Sequence, residues 1–222
     1  MNDAKHTPKG AVPMEGAKGR GDEGAMSPEE AAALLERTST SVRRATDPST
    51  SILFAAWAIS WTIGYVTIWY STKDQVVYTG PPAWASITMG LALAAALVVT
   101  IVVISKAVHG IEGMSATAGK YYAATWPLVF IAWFAIMSGA VRLGASDTML
   151  GFFSAIIPAL LVATIYCASA AQLGRSMFVV GAWLAVTVAI AAQFDVRTLT
   201  LVMGVLGGLG FAVGAIIGRS ER

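Results

Sequence analysis

The chain has 222 residues, of which 56% are hydrophobic and 13% are charged, and its net charge is +2. A soluble globular domain is about 45–50% apolar and about 25% charged, so this composition excludes an ordinary water-soluble protein. One cysteine and two histidines exclude a disulfide framework and a metal centre rich in these residues, so no metal or cofactor is expected, and the small net charge indicates no nucleic-acid partner.

The first 50 residues are polar and hold more than half of the charged residues. Residues 1–26 lack aromatic side chains and are rich in glycine, lysine and proline, which predicts a disordered cytoplasmic tail. Ser27-Pro28-Glu29-Glu30 matches a helix capping box, and Asp47-Pro48 ends the helix predicted over 27–47. Its apolar side chains are Leu34, Leu35 and Val42, and its cations are Arg37, Arg43 and Arg44. We expect an amphipathic helix on the inner leaflet, with a solvated helical spacer as the alternative.

Residues 51–217 contain only ten charged residues, and the apolar stretches between them are long. A helix needs about 20 apolar residues to cross about 30 Å of hydrocarbon. Six segments meet this requirement: Ser51–Tyr70, Ala83–Ser105, Tyr122–Val141, Thr148–Ala168, Met177–Gln193 and Thr198–Ile217. The predicted fold class is therefore all-α: a bundle of six transmembrane helices over 51–217, preceded by the short cytoplasmic helix and followed by a cytoplasmic tail at 218–222.

The orientation follows from lysine and arginine, which are commoner in cytoplasmic loops. With the N-terminus inside, the inner side holds Arg37, Arg43, Arg44, Lys106, Lys120, Arg175, Arg219 and Arg222, and the outer side holds Lys73, Arg142 and Arg197. This asymmetry predicts a multi-pass protein of the cell membrane with both termini in the cytoplasm.

The middle of each predicted span carries no Asp, Glu, Lys, Arg or His. Proton relays and acid–base catalysis within the bilayer need such groups, so we expect neither a proton-coupled pump nor an enzyme. Pro127 and Pro158 lie inside the third and fourth spans, where each removes a helical hydrogen bond and is expected to kink its helix. Such kinks can open a cavity, or they can be features of helix packing without a function.

The sixth span carries two series of glycines at four-residue spacing, Gly204 and Gly208 in the first and Gly210, Gly214 and Gly218 in the second. Glycines at this spacing form a face against which another transmembrane helix can pack closely. The partner of this face is another span of the same chain, a second protomer or another protein.

The predicted second loop contains the one histidine close to a carboxylate near the bilayer. Its candidate residues for contact with a cytoplasmic partner are Lys106, His109, Glu112 and Lys120. His109 and Glu112 form a conceivable base and partner, but no nucleophile or metal-ligand spacing surrounds them. The plain interpretation is a glycine-punctuated cytoplasmic loop.

In layout, the chain is similar to the ABC-2 type permease subunits of ABC exporters, which have an inner-leaflet helix, six spans and cytoplasmic termini. The resemblance implies that Ser27–Thr46 is the inner-leaflet helix and that the Lys106–Lys120 loop contacts a separate ATPase subunit. The chain has no P-loop of its own. It also departs from the family in having only a short link between its last two spans, and it shares no sequence motif with the family.

Two functions follow. The first is a membrane transport component, either a permease-like subunit or a small passive facilitator, and it predicts a kinked, partly polar cavity near Pro127 and Pro158. The alternative is a non-catalytic membrane partner or scaffold subunit of a larger complex. It predicts a dry, filled bundle whose glycine face or cytoplasmic loop is occupied by another protein. Besides the lipid bilayer, the expected partners are a second copy of the chain, another membrane protein or a separate ATPase.

Overall fold

The computed structural model describes residues 27–36, 50–107 and 114–220, and within these ranges the chain is helical with connecting turns and no strand. The N-terminal segment up to Arg43 and the remainder of the chain form two separate units. The predicted tail over 1–26 and the rest of the predicted helix over 37–47 lie outside the described residues, as do residues 221–222.

Helix α1 covers residues 28–36 and begins with the predicted capping box. The Ser27 N–H donates to Glu30 Oε2 at 3.1 Å, and the Glu30 N–H donates to Ser27 Oγ at 3.1 Å. Each side chain therefore satisfies a backbone N–H that the first turn of a helix leaves unpaired, as the capping box predicts. Leu34 and Leu35 are exposed on it.

Six helices follow: α2 Thr50–Thr72, α3 Ala83–Ala107, α4 Met114–Arg142, α5 Asp147–Leu173, α6 Arg175–Ala191 and α7 Val196–Ser220. Five of them are long and apolar enough to cross a membrane, whereas α6, with 17 residues, is shorter. These apolar helices indicate a membrane-embedded protein. Helix α7 contains one π-helical turn at Met203–Gly207.

Local side-chain chemistry sets where α5 and α7 begin. Ser146 Oγ accepts from the Met149 N–H at the start of α5. At the start of α7, Asp195 accepts from the Thr198 hydroxyl at 2.6 Å and from the Arg197 and Thr198 N–H groups. These hydrogen bonds, led by the one from the Thr198 hydroxyl, hold the pKa of the Asp195 carboxyl below its usual range.

Contacts across the bundle give the relative directions of the helices. Ser51, at the start of α2, donates its hydroxyl to the Ala215 carbonyl near the end of α7, so these two helices run antiparallel. Tyr65, in the second half of α2, donates to the Ala155 carbonyl in the first half of α5. Phe54, nearer the start of α2, lies against Tyr166, nearer the end of α5. Helices α5 and α7 are therefore both antiparallel to α2 and parallel to each other. Helix α6 must return the chain from the end of α5 to the start of α7.

An aromatic cluster fills the space between α2, α5 and α7. The rings of Trp61 and Phe211 are 5.3 Å apart, those of Trp61 and Tyr65 are 5.1 Å apart, and those of Tyr166 and Phe211 are 6.3 Å apart. All of these side chains are buried. Among the described residues, the other buried polar side chains are those of Tyr78 and of several serines and threonines, and none of these is a lysine, arginine, aspartate or glutamate.

Helices α3 and α4 lie at the periphery. In the membrane-length window of α2, 44% of the residues are buried, compared with 6% in α3 and none in α4. Within the described residues, α3 packs mainly on α2, and α4 packs mainly on α5. The structural core is therefore formed by α2, α5, α6 and α7.

Changing Gly214 to leucine is expected to destabilise the bundle. A Cβ atom at this position would meet the Val180 side chain and lie 3.0 Å from the Phe54 ring, so a larger side chain overpacks the core at a cost of about 1–3 kcal/mol. Gly90→Leu on α3 is the matched control, because no atom lies within 4 Å of a Cβ built there. Thermal unfolding in detergent, followed by tryptophan fluorescence, should show a lower Tm for Gly214→Leu only. Equal Tm values for the two variants would contradict this packing.

Candidate functional site

The π-helical turn of α7 is the most unusual backbone feature of the bundle. Its altered hydrogen-bond spacing changes how the local carbonyl groups are paired, and such turns often occur at functional sites. Side chains of neighbouring helices donate to three carbonyls in this turn. Trp61 Nε1 donates to the Met203 carbonyl at 2.9 Å, Thr62 Oγ1 donates to the Gly204 carbonyl at 3.3 Å, and Trp183 Nε1 donates to the Leu206 carbonyl at 2.8 Å. Since hydrocarbon offers no hydrogen bonds, these donors from α2 and α6 stabilise the turn.

Glycines make room for these donors. A Cβ atom at Gly207 would collide with the Trp61 indole, one at Gly208 with the Thr62 hydroxyl, and one at Gly210 with the Trp183 indole. A side chain at any of the three positions would therefore displace the group that donates to the turn.

The structure places the five predicted glycines against helices of the same chain. Gly204, Gly208 and Gly218 lie against α2, Gly210 lies against α6, and Gly214 lies against both. Of the partners considered from the sequence, another span of the same chain is therefore the one found on this face. Sequence reasoning missed Gly207, because it falls outside the four-residue spacing.

The two prolines lie in different surroundings. Both α4 and α5 continue through their prolines. Pro158 cannot donate to the Ser154 carbonyl, and the Tyr65 hydroxyl donates to the adjacent Ala155 carbonyl at 2.9 Å. Pro127, by contrast, is exposed on α4.

A groove of about 480 Å³ begins two residues after Pro158, on the side of the bundle. It is lined by Leu160, Ala163, Thr164, Cys167 and Ala168 of α5 and by Ala185 of α6. The Thr164 hydroxyl donates to the Leu160 carbonyl at 2.8 Å, so its proton is already used. The expected cavity near the two prolines was partly polar, whereas this groove is mainly apolar and neither Pro127 nor Pro158 lines it.

Most of the hydroxyl groups in the middle of the spans donate hydrogen bonds to main-chain carbonyls of their own helix. Thr88, Thr125 and Thr164 each donate to the carbonyl four residues earlier. Thr100 does the same, and its oxygen accepts from Trp57 Nε1 at 3.0 Å, which ties α3 to α2. These bonds agree with helix packing as the role of the hydroxyls.

The candidate partner loop is described only in part. Lys106 is exposed in the last turn of α3, and Lys120 is exposed on α4, which begins at Met114 rather than at the predicted Tyr122. His109 and Glu112 lie outside the described residues. Within the described ranges, no group of three or more His, Cys, Asp or Glu side chains is arranged to hold a metal ion.

The sequence did not predict a contact at the end of the bundle that lies away from the α3–α4 loop. The loop between α2 and α3 places Tyr78 against Gly151, where a Cβ atom would lie 2.6 Å from the Tyr78 hydroxyl. Arg197 Nη2 donates to the Val76 carbonyl in the same loop at 3.3 Å. Burial, followed by the negative charge of Asp147, raises the pKa of Tyr78. Such a loop-to-helix contact has no periodic signal in the sequence.

The site at the π turn is suited to holding helices together. Its donors are indole and hydroxyl groups, and its acceptors are main-chain carbonyls.

Comparisons with protein-family models, curated proteins and solved structures found no match to this chain.

Replacing Trp61 with phenylalanine is expected to weaken the bundle. The substitution keeps an aromatic ring but removes the five-membered part of the indole with its N–H, so the buried Met203 carbonyl loses its donor, which costs about 1–3 kcal/mol. Trp84→Phe is the matched control, because Trp84 is exposed at the start of α3. Chemical unfolding in mild detergent should show the loss for Trp61→Phe only. A similar stability for both variants would remove the assigned role of Trp61.

Proposed function

We propose that this membrane protein is a non-catalytic partner or scaffold subunit of a larger membrane complex, with α2–α7 as six transmembrane helices. The observation that carries the proposal is the filled centre of the bundle. Aromatic rings from α2, α5 and α7 pack directly against one another, and the described residues contribute no buried charge there. A polar solute would find no hydrogen-bonding path through such a centre.

The sixth crossing is proposed for α6. Its 17 residues are about 25 Å long, at the short end of the range for a transmembrane helix. The parallel directions of α5 and α7 support this crossing, because the chain must return from the end of one to the start of the other. Together with the excess of cations on one side, six crossings support a place in the cell membrane with both termini in the cytoplasm.

The peripheral helices support the role as a subunit. No residue in the membrane-length window of α4 is buried, and a Cβ atom at Gly90 of α3 or at Gly119 or Gly139 of α4 would meet no atom within 4 Å. The glycines of α7, by contrast, are covered by α2 and α6. The apolar faces of α3 and α4 thus remain available for helices of a second copy or of another membrane protein.

Transport is the second candidate, as a permease-like subunit or a small passive facilitator with any ATPase on a separate chain. The groove between α5 and α6 is the observation in its favour. A conduit of this kind would run along the side of the bundle or between subunits.

A cysteine-accessibility experiment tests the six crossings. In a Cys167→Ala background, cysteines at Val76 and Arg197 should react with a membrane-impermeant reagent from one side of the membrane, and a cysteine at Arg175 from the other. This follows because Arg175 and Arg197 flank the two ends of α6. Labelling of positions 175 and 197 from the same side would show that α6 does not cross.

Purification in mild detergent tests the subunit role. We expect a second copy or another membrane protein in fixed stoichiometry, and we expect Leu128→Trp with Ile131→Trp on α4 to release it. These side chains are 69% and 66% exposed, and Ile216→Trp on α7, at 67%, is the matched control that should retain the partner. A monomer that moves solute in liposomes would instead favour the transport role.

A further inference from the structure

We propose that the groove between α5 and α6 binds an acyl chain of an anionic phospholipid, with the headgroup held at Arg175. This proposal depends on the membrane placement of α5 and goes beyond the proposed subunit role. Its basis is the shape and chemistry of the groove, together with the distribution of charge between the two ends of the bundle.

The groove has a narrow base, because α6 approaches α5 closely at Gly181. A Cβ atom at Gly181 would lie 2.7 Å from Cys167 Sγ and 2.9 Å from the Ala163 carbonyl. Next to this contact, alanines on both helices help to line the open groove of about 480 Å³. The small side chains make it a channel of a size suited to a hydrocarbon chain.

The chemistry of the lining favours hydrocarbon over water. A bound water molecule needs two to four polar partners. The Thr164 hydroxyl already donates within α5, and the rest of the lining consists of alanine and leucine side chains with one thiol. All five α5 positions that line the groove fall within the apolar segment Asp147–Ala171, which is long enough to cross a membrane.

The exposed residues of α5 along the groove lead to Arg175 at the start of α6. Its exposed α5 positions Leu160, Thr164 and Ala168 are four residues apart, and Ala171 continues the same stripe to the end of the helix. Gly174, with φ of +105°, then turns the chain into α6, and Arg175 is exposed at that turn. A lipid lying along the stripe would therefore place its headgroup near this guanidinium.

The charges of the bundle favour an anionic headgroup at this end. The charged residues that the structure describes there are Lys106, Lys120, Arg175 and Arg219. The adjoining sequence adds Glu112, Glu221 and Arg222, so cations are still in excess. At the opposite end, the basic residues Lys73, Arg142 and Arg197 are balanced by Asp74, Asp147 and Asp195. Basic clusters next to a membrane attract anionic lipids, whereas a balanced set does not.

Photo-cross-linking in lipid nanodiscs tests the proposal on the full chain. The probes are phosphatidylglycerol and phosphatidylcholine with the same photoactivatable acyl chain, and mass spectrometry maps the adducts. We expect adducts on Leu160–Ala168 to be about fivefold more abundant with phosphatidylglycerol, the preference that one basic residue near an anionic headgroup provides.

Two pairs of variants separate the headgroup contact from the groove. Arg175→Gln should reduce the phosphatidylglycerol adducts to the phosphatidylcholine level, whereas Arg219→Gln, at the end of α7, should leave them unchanged. Ala185→Trp should fill the groove and remove the adducts, whereas Ala189→Trp, at an exposed position of the same helix, should not.

Three results would overturn the proposal. Equal labelling by the two lipids would show that the groove takes any acyl chain without recognition of the headgroup. A preference that survives Arg175→Gln would assign the headgroup to another cation. Absence of adducts from both lipids, combined with cross-links between two copies of the chain, would show that a helix covers the groove.

Discussion

The hydrogen bond from the Trp61 indole to the Met203 carbonyl is the interaction on which the rest of the bundle depends. It joins the central helix α2 to the π turn of α7, inside an environment where an unpaired carbonyl is costly. Thr62 and Trp183 stabilise neighbouring carbonyls of the turn, and glycines on α7 let the donors approach. Other polar groups of α2 reach α3 and α5, so this helix organises the whole bundle.

This arrangement connects stability to function. A centre filled by aromatic rings and tied by hydrogen bonds to main-chain carbonyls suits a rigid membrane unit more than a conduit. Among the described residues of the bundle, the surfaces that suit a function are lateral: the apolar faces of α3 and α4, and the groove between α5 and α6. The proposed subunit role and lipid recognition would operate at these surfaces.

The sequence predicted much of the fold, because hydrophobic length and turn residues are local signals. The helices were expected close to where they lie, and the capping box at Ser27 and Glu30 is confirmed by its two hydrogen bonds. The early start of α4 was missed, since the polar residues around Lys120 look like a loop. The π turn, Gly207 and the contact of Tyr78 with Gly151 could not be predicted, because they depend on the register and approach of distant segments.

The most direct test of this account is hydrogen exchange at the tryptophan indoles, measured by NMR on ¹⁵N-tryptophan-labelled protein in nanodiscs. The Trp61 indole N–H should exchange far more slowly than that of Trp84, because the first is buried and bonded to the Met203 carbonyl and the second is exposed at a helix end. Equally fast exchange at both indoles would show that Trp61 does not hold the π turn, and would contradict the central place given to α2.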